Sequence, residues 1–159
     1  MLTCLPLGFC SWNYRVQGAT QEAILTFDWL TEQGALHLGA RECRIVKHGW
    51  TSGRWTLEDD TGVLAEAQKL SAFSRTMEIR AGEYTLTARG KMFSRQFTLE
   101  SGGQSIGLVA PMHMFTRRAR VECGTDVPEM VQLFTFWLVA LMWKRDDEST
   151  TATTTTTTP

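Results

Sequence analysis

Basic side chains are concentrated in two parts of this chain, and they are the residues best suited to binding an anion. The candidate anion- or lipid-binding residues are Arg75, Arg117, Arg118, Arg120, Lys144 and Arg145. Guanidinium and ammonium groups bind phosphate through charge-assisted hydrogen bonds, and anionic membrane surfaces attract them. The other interpretation of the set is structural: solvated strand faces, together with ion pairs at a barrel rim that hold the ends of a helix.

Residues suited to catalysis or metal binding do not form a known motif. The acidic run at 58–60 precedes Thr61-Gly62, and such a run ending in glycine is typical of a hairpin turn. The glycines within 102–107 are not followed by the Lys-Ser/Thr pair of a phosphate loop. The histidines are scattered, with no nucleophile or carboxylate placed beside them by a motif: His37, His48 and His113. The sequence therefore predicts no catalytic residue, no metal ligand and no cofactor.

Composition narrows the class of protein further. The 159 residues include 16 basic and 17 acidic side chains, which give a formal net charge of -1. This balance argues against a dedicated nucleic-acid-binding protein, because such proteins carry a basic excess. Hydrophobic residues make up 43% and charged residues 21%, as in ordinary globular domains. Six tryptophans and eight phenylalanines are enough to fill a thick core.

The cysteines and the N-terminus indicate a reducing compartment. The cysteines form no C-x-x-C pair and no Cys/His cluster with zinc spacing: Cys4, Cys10, Cys43 and Cys123. Residues 1–10 are mildly apolar but carry no Lys or Arg, and Pro6 and Gly8 interrupt the apolar run. No signal peptide is therefore predicted. We expect a cytoplasmic protein, either free or at the periphery of a membrane.

The most apolar stretch of the chain covers residues 131–143. After Thr135 no polar side chain occurs until Lys144, so a helix here is apolar on every face and must be buried. Its apolar body spans about 20 Å, which is short of the ~30 Å hydrocarbon core of a bilayer. A core helix is therefore favoured over a tail anchor. Start and stop signals on either side place the predicted helix at 128–145.

The middle of the chain repeats with a spacing of 42 residues. Thr56-Leu57-Glu58 corresponds to Thr98-Leu99-Glu100, and Phe73-Ser74-Arg75 corresponds to Phe115-Thr116-Arg117. Each copy also contains a Gly turn followed by an aliphatic segment. Apolar and polar residues alternate on both sides of these turns, which predicts antiparallel strands buried on one face.

Ten to twelve strand candidates precede the helix, and this number bears on the architecture. A barrel of about eight strands is filled by its own side chains, so a barrel around a helix ~10–12 Å wide needs more strands. We predict a mainly β protein, a closed antiparallel barrel of about twelve strands around a central hydrophobic C-terminal helix, with an internal duplication. The predicted parts are an N-terminal segment (1–20), the barrel domain (21–146) and a disordered Thr-rich tail (147–159).

Three sequence features resemble the tubby C-terminal-like superfamily, which includes LURP-one-related proteins and phospholipid scramblases. They are the repeated Phe-[Ser/Thr]-Arg motif, G-x-x-I-G at 103–107 and F-x-x-W-L at 134–138. The resemblance covers about residues 20–146. It implies a twelve-stranded barrel around a hydrophobic helix and a role at phospholipid membranes. The acidic calcium loop of scramblases and the lipid-binding lysines of tubby have no match here, so scramblase activity is not expected.

These features lead to a ranked set of functions. The first is a non-enzymatic β-barrel that binds an anionic phospholipid or a protein partner at a membrane surface. The alternatives are a structural or adaptor module without a ligand, and a tail-anchored membrane protein. An enzyme acting on a small hydrophobic ligand inside the barrel comes last, because the helix should fill that space.

Overall fold

Twelve antiparallel strands form a closed barrel in the computed structural model, which describes residues 1–154 and side chains to residue 151. Each strand pairs with its neighbours in sequence, and β1 closes the barrel against β12. The strands are β1 Leu2–Pro6, β2 Tyr14–Gln17, β3 Ala23–Asp28, β4 Gln33–Leu38, β5 Arg41–His48, β6 Arg54–Asp59, β7 Gly62–Lys69, β8 Thr76–Ala81, β9 Tyr84–Gly90, β10 Phe97–Ser101, β11 Gln104–Pro111 and β12 Ala119–Cys123. The predicted fold class is confirmed.

The interior of the barrel is filled by the helix α1, Glu129–Thr154. Every side chain from Leu133 to Trp143 is buried against inward-facing residues of the strands. Alternation along each strand supplies these inward residues, because successive side chains of a strand point to opposite faces. The apolar stretch is therefore the core of the barrel, as predicted. Within residues 1–154, no helix is both long and apolar enough to cross a membrane.

Two tryptophans of α1 fix the helix inside the barrel by hydrogen bonds to strand and loop carbonyls. Trp137 Nε1 donates to the carbonyl of Thr26 at 2.9 Å, and Trp143 Nε1 donates to that of Arg95 at 2.7 Å. Gly34 allows the first bond, because a Cβ there would lie 2.0 Å from the Thr26 oxygen. These bonds satisfy indole N–H groups that are otherwise costly to bury.

The repeat of 42 residues corresponds to two hairpins with the same irregularity. β6 and β7 meet at the pair Asp59–Gly62, and β10 and β11 meet at Ser101–Gln104, so both predicted turns are present. The register shifts after Leu57 in the first hairpin and after Leu99 in the second. The bulge is thus at equivalent positions in both copies, which supports the internal duplication.

The boundaries differ from the prediction at both ends of the chain. Residues 1–20 are not a separate segment, because β1 and β2 are strands of the barrel. At the C-terminus α1 continues past residue 145, so residues 147–154 are helical rather than disordered. Hydroxyl groups of this segment donate to carbonyls one turn earlier, as Thr150 does to Asp146 at 2.9 Å. Residues 155–159 of the predicted tail lie outside the described part of the chain.

Candidate functional site

The strand connections alternate between the two ends of the barrel, because consecutive strands are antiparallel. One end, which we call the loop rim, contains residues 7–13, 29–32, 49–53, 70–75, 91–96 and 112–118. The other end, the turn rim, contains residues 18–22, 39–40, 60–61, 82–83, 102–103 and 124–128. α1 begins at the turn rim, where Glu129 bonds Thr20, and reaches the loop rim at Arg145, which bonds Glu32.

Every connection of the loop rim presents one large apolar side chain almost fully to solvent. Six residues, one per loop, are at least 95% exposed: Phe9, Leu30, Trp50, Phe73, Phe93 and Phe115. Methionines and leucines beside them add to the exposed apolar surface of the same loops. Scattered exposed apolar residues are normal, but their concentration at one end of a fold marks an interaction surface. We call these six residues the apolar tips.

Backbone conformation supports the display of one tip. Phe93 has a φ of 62°, in the left-handed region that residues with a Cβ rarely adopt. Its ring is fully exposed, so packing of that side chain does not account for the conformation. Strained backbone of this kind is concentrated at functional sites.

The Phe-[Ser/Thr]-Arg motif occurs three times in the loop rim, and the sequence interpretation missed one copy. Besides residues 73–75 and 115–117, Phe93-Ser94-Arg95 has the same pattern and lies in the equivalent position of its loop. In each copy the phenylalanine is an apolar tip, and the arginine is half-buried. In the sequence, the middle copy follows the first by 20 residues and precedes the last by 22. The repeat of 42 residues relates only the first and last copies.

The arginines of the motif pack on aromatic rings, two of them bonding a neighbouring loop as well. Arg75 lies over the ring of Phe97 at 5.1 Å and donates to the Ser94 carbonyl at 2.8 Å. Arg117 lies over the ring of Trp12 at 5.4 Å and donates to the Ser11 carbonyl at 2.9 Å. Arg95 lies over the ring of Trp143, at 5.1 Å. These contacts keep the loops in place while the phenylalanines point outward.

The C-terminal part of α1 is held by a carboxylate of the loop rim. Glu32 accepts two hydrogen bonds from Arg145, both 2.6 Å, and also pairs with Lys47. Burial alone would raise the pKa of Glu32, but the hydrogen bonds from Arg145 and Lys47 outweigh it and lower this pKa to about 2. The guanidinium of Arg145 also lies 5.3 Å from the ring centre of Trp55, so the position of this charge is well defined.

Lys144 completes the attachment of the helix end. Its ammonium lies 4.4 Å from the ring centre of Trp29 and pairs with Glu148 one turn further along α1. Trp29 stacks on Phe27, which in turn stacks on Trp137 of the helix, with ring centres 4.7 Å apart in both pairs. A continuous aromatic column thus joins the core to the loop rim.

The six predicted anion-binding residues therefore fall into two groups. Arg75, Arg117, Lys144 and Arg145 have the contacts of the structural interpretation, since they connect loops and helix. Arg118 is exposed in the loop rim, next to the start of β12. Arg120 is on the outer wall and pairs with Glu122 at 2.9 Å. That this set binds an anion stays a prediction.

Formal charge divides the two ends of the barrel. The connections of the loop rim carry five basic residues and one acidic residue: Arg75, Lys91, Arg95, Arg117, Arg118 and Glu32. The end of α1 adds two basic and three acidic residues at the same end, Lys144, Arg145, Asp146, Asp147 and Glu148, so the excess of basic residues there is three. The turn rim carries four acidic residues and no basic one: Glu22, Asp60, Glu83 and Asp126. The chain is nearly neutral as a whole, so this separation of charge orients the barrel on a charged surface. The end that an anionic surface attracts is the end with the apolar tips.

Two observations on the described residues concern metal binding and catalysis. No group of three or more His, Cys, Asp or Glu side chains among them is arranged to hold a metal ion. His48, Thr56 and Glu58 form a hydrogen-bonded group on the outer wall, with His48 Nε2 at 2.7 Å and Glu58 Oε1 at 2.5 Å from the Thr56 hydroxyl. Thr56 is only 2% exposed, so its hydroxyl is out of reach of a substrate.

Comparison with known proteins gives no information on function, so function is inferred from the fold and the loop rim. No family model, curated protein or solved structure matches this chain. The resemblance to the tubby-like barrels thus rests on the sequence features given above and stays a prediction.

Proposed function

We propose that this protein is a non-enzymatic peripheral membrane-binding domain that docks its loop rim on an anionic phospholipid surface. The observation that carries the proposal is the presence of one almost fully exposed apolar tip on each of the six loops at one end. Side chains presented separately suit a fluid interface, because each inserts without a preformed socket. Trp is enriched at the boundary between headgroups and acyl chains, and Phe and Leu are among the side chains that interfacial segments bury there.

The excess of positive charge at the loop rim favours docking on an anionic surface over docking on a neutral one. Each Lys or Arg near such a surface contributes about 1 kcal/mol, and this contribution is screened by salt. Lys91 and Arg118 have side chains exposed to solvent in this rim. Docking in the opposite orientation would bring the acidic turn rim against the membrane, which is electrostatically unfavourable.

The test is binding of the full chain to vesicles of phosphatidylserine and phosphatidylcholine, measured by co-sedimentation in a salt series. We expect Phe93→Ser/Phe115→Ser to lower the partition coefficient about 100-fold, at about tenfold per tip for a partly inserted ring. Binding of the unaltered protein should weaken as salt is raised. The matched control is Val63→Ser/Tyr84→Ser, which removes exposed apolar residues next to the turn rim and should leave binding unchanged.

A protein partner at the membrane is the second candidate, and the end of α1 favours it. The helix extends beyond Arg145 as a polar segment, exposed at 146–151, and this segment begins inside the ring of apolar tips. A protein surface with a recess accommodates both the tips and the segment. Failure of the unaltered protein to bind protein-free vesicles would reject direct lipid docking in favour of this candidate or of a structural module without a ligand.

A further inference from the structure

Among the grooves that the described residues form at or beside the loop rim, four differ in the charges that line them. The groove beside Phe9 and Trp12 contains the carboxylates of Asp147 and Glu148, which repel an anion. The groove beside Leu30 contains Lys47, whose ammonium is already paired with Glu32. A third groove contains Arg95 and Arg120 between mainly apolar side chains: Phe93, Ala110, Pro111, Met112 and Met114.

The fourth groove, which we call the Lys69 groove, lies between the loops at 49–53 and 70–75 and has a volume of about 420 Å³. It is lined by two cations, Lys69 and Arg145, and by three hydroxyl-bearing residues, Thr51, Ser52 and Ser71. No carboxylate is among its lining residues. Cations with hydroxyl donors beside them are the groups that bind phosphate in proteins.

The walls of this groove are fixed before any ligand arrives. Gly53, with a φ of 60°, passes close over Lys69, where a Cβ would lie 3.0 Å from the lysine Cβ. The Lys69 amide donates to the Gly53 carbonyl at 2.8 Å. Gln68 Nε2 donates to the Ser52 carbonyl at 2.7 Å and to the Lys69 carbonyl at 3.1 Å. A preformed site loses little conformational entropy on binding.

Both cations keep donors for a ligand. Lys69 Nζ donates to the Ala72 carbonyl at 2.8 Å, and an ammonium has three donors. Nε and Nη2 of Arg145 donate to the Glu32 carboxylate. Nη1 of Arg145 donates no hydrogen bond within the described part of the chain. Burial and the neighbouring charge of Arg145 lower the pKa of Lys69, and they outweigh the opposite effect of the carboxylates of Asp146 and Glu32. A bound anion offsets this repulsion, and a dianion offsets it for both groups.

We propose that the Lys69 groove is a binding site for a phosphate monoester, with Lys69 and Arg145 as its cationic ligands and the hydroxyls of Thr51 and Ser71 as further donors. The site deepens the proposed membrane docking, because the groove opens between the loops that carry the tips Trp50 and Phe73. The shared chemistry is that of a monoester dianion, which either a phosphatidic-acid-type headgroup or a soluble phosphate supplies.

The test compares vesicles that contain phosphatidic acid with vesicles that contain phosphatidylserine, matched in surface potential. We expect the unaltered chain to bind the first type about fivefold more tightly, and Lys69→Gln to remove this preference. Lys69→Arg retains the charge and should retain the preference. Lys91→Gln is the matched control, because Lys91 lies exposed in another loop of the same rim. It should lower binding to both vesicle types equally.

Equal binding of the unaltered chain to both vesicle types, or identical behaviour of Lys69→Gln and Lys91→Gln, rules out a lipid headgroup as the ligand. If inorganic phosphate then also causes no shifts that depend on Lys69, the site is overturned. A second arm titrates inorganic phosphate and follows the backbone amide resonances of residues 51 and 71. Shifts that Lys69→Gln abolishes assign the site to soluble phosphate, whereas a vesicle preference without such shifts assigns it to the lipid headgroup. Binding to neither vesicle type rejects membrane docking, and in that case the phosphate titration alone decides on the groove.

Discussion

The two ends of the barrel have the same number of connections but are built in different ways. Four of the six connections of the turn rim have only two residues, whereas those of the loop rim have four to seven. A hairpin needs no more than two residues, so the longer loops are not required for closing the barrel. Their exposed apolar tips contribute nothing to the core. The difference places function at the loop rim, because loops on a rigid scaffold commonly carry binding residues.

The helix α1 connects the two ends and is held differently at each. At the loop rim the Glu32 carboxylate bonds two cations and is half-buried. At the turn rim the Glu129 carboxylate bonds the amide and the hydroxyl of Thr20, at 2.9 and 2.6 Å, in an exposed setting. Charge-assisted bonds away from water are the stronger kind. We therefore expect the loop rim to depend more on its attachment to the helix.

The largest effect should come from breaking the link between the two ends. Trp137→Ala removes a fully buried ring that stacks on Phe27 and bonds the Thr26 carbonyl, so it should cost about 3–5 kcal/mol of unfolding free energy. Denaturant unfolding followed by circular dichroism measures this loss.

Trp137→Phe is the control for this change, since it keeps an aromatic ring but leaves the Thr26 carbonyl without its donor. We expect it to cost about 1–3 kcal/mol. If Trp137→Ala has an unfolding midpoint near that of the unaltered chain, the helix is not the core on which both rims depend.

The fold was largely predictable, because the signals that define it are local. Period-two alternation, glycine turns and the apolar run at 131–143 together implied a barrel around a helix. The prediction failed where the local signal was weak. Strand β1 has only five residues and ends at Pro6, and its register depends on β12, which is more than 100 residues away in sequence. The extension of α1 to Thr154 was also not predicted, because the Thr-rich composition of this segment favours disorder.

The candidate site was predictable only in part, because exposure is a property of the folded chain. The sequence identified the Phe-[Ser/Thr]-Arg motif but not that its phenylalanine points out and its arginine packs inward. The reverse assignment is the natural one, since Phe is usually buried and Arg exposed. The sequence did not identify Lys69 as a site residue, because Arg145, which lines the same groove, is 76 residues further along the chain. Only closure of the barrel around α1 brings these two charges to one groove.

A second, smaller effect tests the attachment at the loop rim. Glu32→Gln leaves Lys47 and Arg145 without their shared carboxylate and should cost about 2 kcal/mol at neutral pH. The pKa of Glu32 is lowered from 4.5 to about 2 in the folded chain, so its contribution is complete above about pH 4.5. The contribution falls as pH drops toward 2, because protonation then favours the unfolded chain.

The measurement is the unfolding free energy of both proteins across this range of pH. Their difference should shrink between about pH 4.5 and pH 2. Asp59, whose pKa is also lowered to about 2, is present in both proteins and does not contribute to the difference. A difference that stays constant with pH would show that Glu32 acts by packing and not by its charge.

The smallest effect on stability should come from a Glu→Gln substitution at the turn rim, the counterpart of Glu32→Gln at the loop rim. Glu129→Gln keeps one acceptor oxygen for Thr20 but removes a negative charge from the first turn of α1, so we expect a cost of about 0.5 kcal/mol. Urea unfolding at neutral pH measures it beside Glu32→Gln. Vesicle binding should not change, because Glu129 and Thr20 are at the end away from the apolar tips. A cost equal to that of Glu32→Gln would show that the helix is held equally at both ends, and the asymmetry would then be confined to the loops.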